Sequence, residues 1–286
     1  MNFCPNNNLS EEKGDKMQQE TAALSREGGY LEVKNVFKTY HLPGQETGNV
    51  AVPTLEDISF NVNKGEFISI IGPSGCGKST LFNLISGLEL PDKGKIVLDG
   101  EDITGRKGHV SYMLQKDLLL PWRTVLENCI IGLELQKIPR TQAISRASAL
   151  LSEFNLSEFA GSYPSTLSGG MRQRVAFLRT MLADRELLLL DEPFGALDAY
   201  TKSEMHAWLA DILTKIGRPT ILFITHDVEE ALLLSDRIYL LGPRPASIKL
   251  QLSVELQRPR TRQLIVGKEF IEMKRILMES LFKKIY

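Results

Sequence analysis

No stretch constrains this chain more than Gly72-Pro73-Ser74-Gly75-Cys76-Gly77-Lys78-Ser79-Thr80. Before it stands Glu66-Phe67-Ile68-Ser69-Ile70-Ile71, a short apolar run that reads as a buried strand. After it stands Leu81-Phe82-Asn83-Leu84-Ile85, which reads as a helix. Strand, glycine-rich turn and helix are the context in which G-x-x-x-x-G-K-[ST] becomes a phosphate-binding loop. The glycines let the backbone wrap closely, with its N–H groups turned inward as an anion nest. The helix N-terminus adds free N–H groups and partial positive charge. Lys78 is expected to reach the β- and γ-phosphates, and the Ser79 hydroxyl to ligate Mg²⁺. The alternative is a glycine-rich turn before an ordinary helix.

Two further runs point the same way. Leu187-Leu188-Leu189-Leu190 followed by Asp191-Glu192-Pro193 reads as a parallel strand buried on both faces. Its carboxylates then stand at the C-terminal strand end, where α/β sheets place ligands. There Asp191 suits a Mg²⁺ shell and Glu192 the activation of water, although acids that merely end a strand are common. Thr220 to Thr225 repeats the pattern, with His226-Asp227 at its end, and His226 becomes a candidate γ-phosphate contact.

The remaining segments fill in around this frame. Residues 30–36 and 55–62 alternate like half-buried strands, and 41–53, with Pro43, Gly44, Gly48 and Pro53, reads as a loop. Lys95 to Gly100 is expected to be a strand entering a hairpin turn, and 109–114 another strand ending near Gln115. From Leu118 to Ser162 the pattern turns helical, with helices over 124–135 and 141–154 separated at Pro139. Trp122, at the entrance to this lobe, suits core or an exposed contact equally. Ser168 is a plausible N-cap for the helix that follows, and Gly169-Gly170 permit close approach of another backbone. A helix is expected over 199–215, and strands over 237–241 and 246–252. Beyond Pro259 the spacing of Leu264, Ile265, Ile271, Ile276, Leu277, Leu281 and Ile285 gives a helical tail one apolar face for docking back on the body.

Composition excludes several classes. The 286 residues are 43% hydrophobic, enough for a full core, and carry a net charge of −1. That balance gives no electrostatic case for nucleic acid as partner. No apolar run approaches the ~18 residues of a spanning helix, and the N-terminus lacks a signal-peptide pattern. Cys4, Cys76 and Cys129 form neither a disulfide framework nor a metal spacing. Cys76 reads as a small turn residue rather than a reactive thiol. The polar residues 1–28 carry too little apolar surface to offset ordering entropy. The chain is thus expected to be cytosolic, touching a membrane only through a partner.

Taken together and in order, these motifs resemble the ATP-binding subunit of ABC transporters over roughly residues 30–250. Gly72 to Ser79 matches that family's Walker A, Gln115 its Q-loop glutamine, and Leu187 to Glu192 its Walker B with catalytic glutamate. Leu167-Ser168-Gly169-Gly170-Met171 matches the signature, with methionine where glutamine is commoner. Asp198 matches the D-loop, His226 the switch histidine, and Tyr40 the aromatic that stacks on adenine. Gln115 to Asn128, Ser168 to Arg174 and Leu241 to Pro245 are similar to the nitrate/sulfonate/taurine importer group, which includes subunits proposed to serve thiamine-precursor pyrimidines.

The resemblance implies an α/β fold: a P-loop NTPase cassette with a RecA-like parallel core, an antiparallel β subdomain and an inserted helical subdomain. It implies a disordered tail over 1–29, the cassette over 30–250 with its helical lobe at about 116–165, and a helical tail over 251–286. The implied activity is ATP hydrolysis driving solute import, with Glu192, His226 and Lys78 catalytic. ATP would contact Tyr40, Gly72, Pro73, Ser74, Gly75, Cys76, Gly77, Lys78, Ser79, Thr80 and Gln115. Ser168, Gly169, Gly170 and Asp198 would reach it across a head-to-tail dimer, and Mg²⁺ would fall to Ser79, Gln115 and Asp191. The implied partners are a second copy, a membrane permease docked on Met113 to Asn128, and an extracellular solute-binding protein, at the cytoplasmic membrane face. An exporter ATPase or a soluble non-transport cassette would share the catalytic motifs.

Overall fold

The computed structural model describes residues 29–43, 49–195, 197–215 and 219–282. The expected N-terminal tail lies outside them. Two sheets organise the chain. Strands β1 (Leu31–Pro43), β2 (Asn49–Val62), β4 (Lys93–Leu98) and β5 (Glu101–Asp102) form an antiparallel sheet in the order β2-β1-β4-β5. Strands β3 (Phe67–Ile71), β6 (Ser111–Met113), β7 (Leu187–Asp191), β8 (Thr220–Ile224), β9 (Arg237–Leu241) and β10 (Ile248–Ser253) form the second, in the order β10-β9-β3-β8-β7-β6. Its pairings are parallel except β9 with β10.

The leucine run of β7 is uninterrupted because both faces of this sheet are covered. Leu187 and Leu189 point into one core with Ile68, Ile70, Leu222 and helix α1 (Lys78–Ile85). Leu188 and Leu190 point into the other, with Phe223, Ile238 and helix α5 (Gly169–Leu182). A strand with one wet face would alternate; one buried on both sides has no place for a polar residue.

Register then sets function. Ile70 pairs with Ile224, Asp191 with Ile224, and Ile71 with Leu240. The residues that follow β3, β7, β8 and β9 therefore all leave the sheet at one edge, the C-terminal edge of the parallel strands.

Between β6 and β7 lie α2 (Val125–Cys129), α3 (Ile131–Leu135), α4 (Arg140–Glu153) and α5. Thr124 and Glu127 form a capping box at the start of α2. The expected single helix over 124–135 is broken at Ile130, which carries αR angles near the edge of the helical range. Helices α6 (Ala199–Lys215), α7 (Val228–Leu234) and α8 (Lys268–Phe282) complete the body.

Two expectations need correction. Strands β1 and β2 run on into the region read as a loop, with His41 opposite Ala51 and Thr39 opposite Pro53. Pro53 is tolerated because β2 is an edge strand, so its missing N–H interrupts no second ladder. In the C-terminal helix Phe270 and Leu277 are fully covered and Met273 and Leu281 pack against the same core, whereas Ile271 is 54% exposed and Ile285 lies outside the described residues. Phe270 and Leu277 stand seven apart, two helical turns, and share the buried stripe. The tail does dock on the body: α8 packs on α7, and Lys274 pairs with Glu229 at 2.6 Å. Among the described residues no helix is long and apolar enough to cross a membrane.

Candidate active site

The phosphate loop leaves β3 at Gly72 and enters α1 at Lys78. Gly77 holds φ 121°, and a Cβ there would stand 2.9 Å from the Leu55 side chain. Gly75 holds φ +73°, and a Cβ there would meet nothing within 4 Å. The first position demands glycine because the scaffold crowds it. The second demands it for its left-handed backbone and opens to space a ligand can fill. Lys78 is buried and donates to the carbonyls of Gly72 at 2.9 Å and Pro73 at 3.1 Å. Its charge is thus held at the mouth of the loop without a carboxylate. The free N–H groups of the first helical turn face the same way. Cys76 is buried, and burial pushes its thiol above the ordinary value, so the reading as a small turn residue holds.

Asp191 ends β7 with 4% exposure. Burial raises its carboxyl above the usual range, against the pull of hydrogen bonds from Ser79 and Tyr112 and the charge of Lys78. The Tyr112 hydroxyl donates to it at 3.3 Å, and the Tyr112 phenol is itself raised by burial and by that carboxylate. A buried carboxylate bonded to a serine hydroxyl, beside an anion nest, is a fitting seat for a hard cation. Mg²⁺ takes one or two such protein oxygens and completes its shell with phosphate and water. Among the described residues no group of three or more His, Cys, Asp or Glu could hold a metal alone, so a cation here would share its ligands with the nucleotide.

Glu192 has φ 45°, in the left-handed region that non-glycine residues seldom occupy. This bend turns its side chain off the strand line. Glu192 Oε2 lies 3.3 Å from Gln115 Nε2 and 3.3 Å from His226 Nδ1. Three segments far apart in sequence therefore meet at one carboxylate. His226 is half exposed, so it remains open to a ligand. Both contacts are long, and a reacting group can replace either.

Tyr40, on β1, gives its hydroxyl to Glu89 at 2.5 Å and stands 3.4 Å from the Thr80 hydroxyl, which ties the aromatic to the end of the phosphate loop. Burial and the Glu89 contact raise its phenol.

The signature segment is built differently. Ser168 caps α5, accepting from the Met171 N–H at 3.3 Å. A Cβ on Gly170 would stand 2.9 Å from the Thr201 methyl, so one glycine of the pair already has an intrachain reason. Asp198 accepts from the N–H groups of Tyr200 and Thr201 and caps α6. Gln115 and Gly169 border one open recess of about 500 Å³. Across it, Arg172 pairs with Asp117 at 3.2 Å, and Arg179 donates to the Asp117 and Leu118 carbonyls. The segment after Gln115 is thereby stapled to the signature helix. Trp122 is 70% exposed, on a loop whose backbone is held by the buried Asn128 through Leu120, Arg123 and Thr124.

One network escapes sequence reasoning. Buried Glu230 accepts from Thr225, just before His226, and meets His206 and Lys202 on α6. Lys202 also pairs with Asp227 at 2.8 Å. Burial pushes the Asp227 carboxyl up, but Lys202 outweighs it and holds the group below its ordinary value. The Asp198-capped helix is so tied to the His226 loop. The i, i+4 spacing of Lys202 and His206 was the available signal, but it marks only a helix face.

A family model described as ABC transporter matches residues 55–195. An ABC transporter ATP-binding protein of Methanocaldococcus jannaschii is 41% identical over 251 residues, 88% of this chain and 91% of that protein. The formylaminopyrimidine import ATP-binding protein ThiZ of Halalkalibacterium halodurans is 48% identical, covering 68% of this chain and 75% of its own length. The nitrate import ATP-binding protein NrtD of Synechocystis is 41% identical, covering 77% and 84%. Among solved structures, a dimeric bacterial ABC transporter cassette is 30% identical with a TM-score of 0.66, covering 79% of this chain and all of that one. The same figures hold for that cassette as a dimer in a post-hydrolysis state bound to ADP and Pi.

Proposed function

Because this chain belongs to the ABC transporter family as an ATP-hydrolysing cassette, we propose that it powers import of a small solute through a partner permease. The proposed cargo class is nitrate, a sulfonate such as taurine, or a thiamine-precursor pyrimidine, since relatives named for nitrate, sulfonate and formylaminopyrimidine import are 39–48% identical to it over aligned stretches of 193–236 residues. The observation that carries the chemistry is the meeting of Gln115, Glu192 and His226 at one carboxylate beside the phosphate loop.

In this reading Lys78 and the loop N–H groups bind the β- and γ-phosphates, and Tyr40 faces the adenine. Ser79, Asp191 and Gln115 would hold Mg²⁺, which when bound would supply charge neutralisation. Glu192 orients and polarises the attacking water, and His226 binds the γ-phosphate as the water adds. Phosphoryl transfer asks for this positioning and charge more than for covalent help. Ser168, Gly169, Gly170 and Asp198 complete the site from a second copy. Their contacts last only while the γ-phosphate is present, so hydrolysis loosens the pair and becomes motion.

The remaining assignments follow from the same reading. The cassette spans 30–250 with its helical lobe at about 116–165, and a C-terminal tail follows from 251; the N-terminal tail lies outside the described residues. The loop that exposes Trp122 docks a permease, at the cytoplasmic membrane face, with a solute-binding protein on the far side. The test is a mild-detergent pull-down of the tagged chain from native membranes, read by mass spectrometry. A multi-span permease and a secreted binding protein are expected. Soluble partners alone, with the chain absent from membranes, would overturn the importer reading.

A further inference from the structure

The connection between β9 and β10 carries Pro243-Arg244-Pro245 to the mouth of the phosphate loop. Register brings it there, since β9 lies parallel beside β3 and both chains leave the sheet at the same edge. The connection is anchored at each end. The Gly242 N–H donates to the Ser247 carbonyl at 3.0 Å, and Ala246 exchanges backbone hydrogen bonds of 2.9 Å with Thr54 and Glu56 on β2. Between these anchors two prolines fix their own φ and restrict Arg244, so the tip holds little conformational freedom.

Arg244 is exposed. Its Nη2 donates to the carbonyl of Gly75 at 2.7 Å, at the glycine whose Cβ side is open. Among the described residues it has no carboxylate partner, unlike Arg237 at the start of β9, which is paired with Glu66. Its charge also acts on the Tyr40 phenol and the Cys76 thiol, lowering both against burial. Arg244 thus stands against the phosphate loop at Gly75, with most of its five N–H donors to spare. A planar guanidinium fork matches phosphate oxygens. A free arginine on a stiff tip beside an anion nest needs an anion more than it needs the one carbonyl it holds.

We infer that Arg244 is an additional contact for the polyphosphate of the bound nucleotide, delivered from the β9–β10 connection. This rests on the reading of Gly72 to Thr80 as the nucleotide loop. The donor bound to Gly75 also fixes the peptide plane that carries the Cys76 N–H, so the arginine shapes the loop it completes.

The test measures affinity for Mg-ATP and for adenosine by calorimetry in wild type, Lys78→Ala, Arg244→Ala and Arg244→Gln. Wild type that binds no ATP would sink the nucleotide loop itself, and Arg244 with it. With wild-type binding present, Arg244→Ala is expected to weaken ATP about tenfold, the scale of one charge-assisted contact, and to leave adenosine unchanged. The loss should shrink at high salt. Arg244→Gln keeps a donor for Gly75 without the charge. It should retain the wild-type melting temperature and show the same ATP loss, so a folding defect in the alanine variant leaves the question decidable. ATP affinity within twofold of wild type in the glutamine variant, or equal losses for ATP and adenosine, would overturn the assignment.

Discussion

The phosphate-loop edge of the parallel sheet and the signature end of α5 bear on the same chemistry, yet they are held in place by different means. Lys78, Asp191, Glu192 and His226 stand where strand register puts them, because β3, β7 and β8 end level with one another. Ser168 to Gly170 stand where side chains put them. Arg172 and Arg179 clasp Asp117 and Leu118, the segment that begins at Gln115. One half of the site is therefore fixed by backbone ladders, and the other by an ion pair and hydrogen bonds from a helix to the segment after Gln115. The joint between them runs through Gln115, whose amide touches Glu192 on the ladder side.

The comparison is broken most severely by removing chemistry from the ladder half. Glu192→Gln is expected to lower kcat about 10²- to 10⁴-fold while ATP affinity persists, measured by phosphate release and equilibrium binding. Near-normal turnover would remove Glu192 from its role. Lys78→Ala should weaken ATP binding by about 1.5–3 kcal/mol, read by nucleotide titration. Unchanged affinity would refute the lysine's assignment.

The signature half predicts a different pattern. Ser168→Ala loses an N-cap, worth about 1 kcal/mol of stability. It should leave ATP affinity of the isolated subunit intact while abolishing the rise of specific turnover with protein concentration. A preserved concentration dependence would show that Ser168 makes no contact across a dimer. Trp122→Ala should weaken co-purification with the permease and leave ATP binding unaffected, because the side chain is exposed and makes no contact with the phosphate-loop residues. Intact assembly would dismiss it as an anchor.

The smallest effect concerns acid. Asp191 has a raised carboxyl in the folded chain. The fold therefore binds that proton more tightly than the unfolded chain does. The associated stability is present below the unfolded value and is lost as pH rises through the raised one. Each unit of elevation costs about 1.4 kcal/mol once the group ionises. Nucleotide-free wild type should thus lose melting temperature across that window, and Asp191→Asn should not. Parallel curves for the two proteins would show that burial does not govern this carboxylate.

Much of this was legible in one dimension. The phosphate loop, the leucine strand before Asp191 and the strand before His226 are local patterns, and local geometry enforces them. Tyr40, offered by the resemblance alone, stands 3.4 Å from the Thr80 hydroxyl, forty positions away. At 41–43 and 49–53 the loop reading gave way to strand because proline and glycine mark turns in isolation, while here the edge of a sheet absorbs Pro53; residues 44–48 lie outside the described residues. Phe270 went unnoticed in the tail because the stripe was drawn through Ile271, and only the shape of the body selects which residue of a pair is covered.

The sequence by itself determined that this chain binds a nucleotide's phosphates, and at which edge of a parallel sheet. Residue types at fixed local spacing create an anion nest, and apolar runs bounded by acids or histidine mark the strand ends around it. Only the tertiary structure decided what shares that edge. The meeting of Gln115 and His226 at Glu192, the tie of Glu230 to His206 on α6, and the reach of Arg244 to Gly75 all join residues distant in the chain. Such contacts depend on strand order and register, which arise when separate segments bury their apolar faces together, and no local spacing records them.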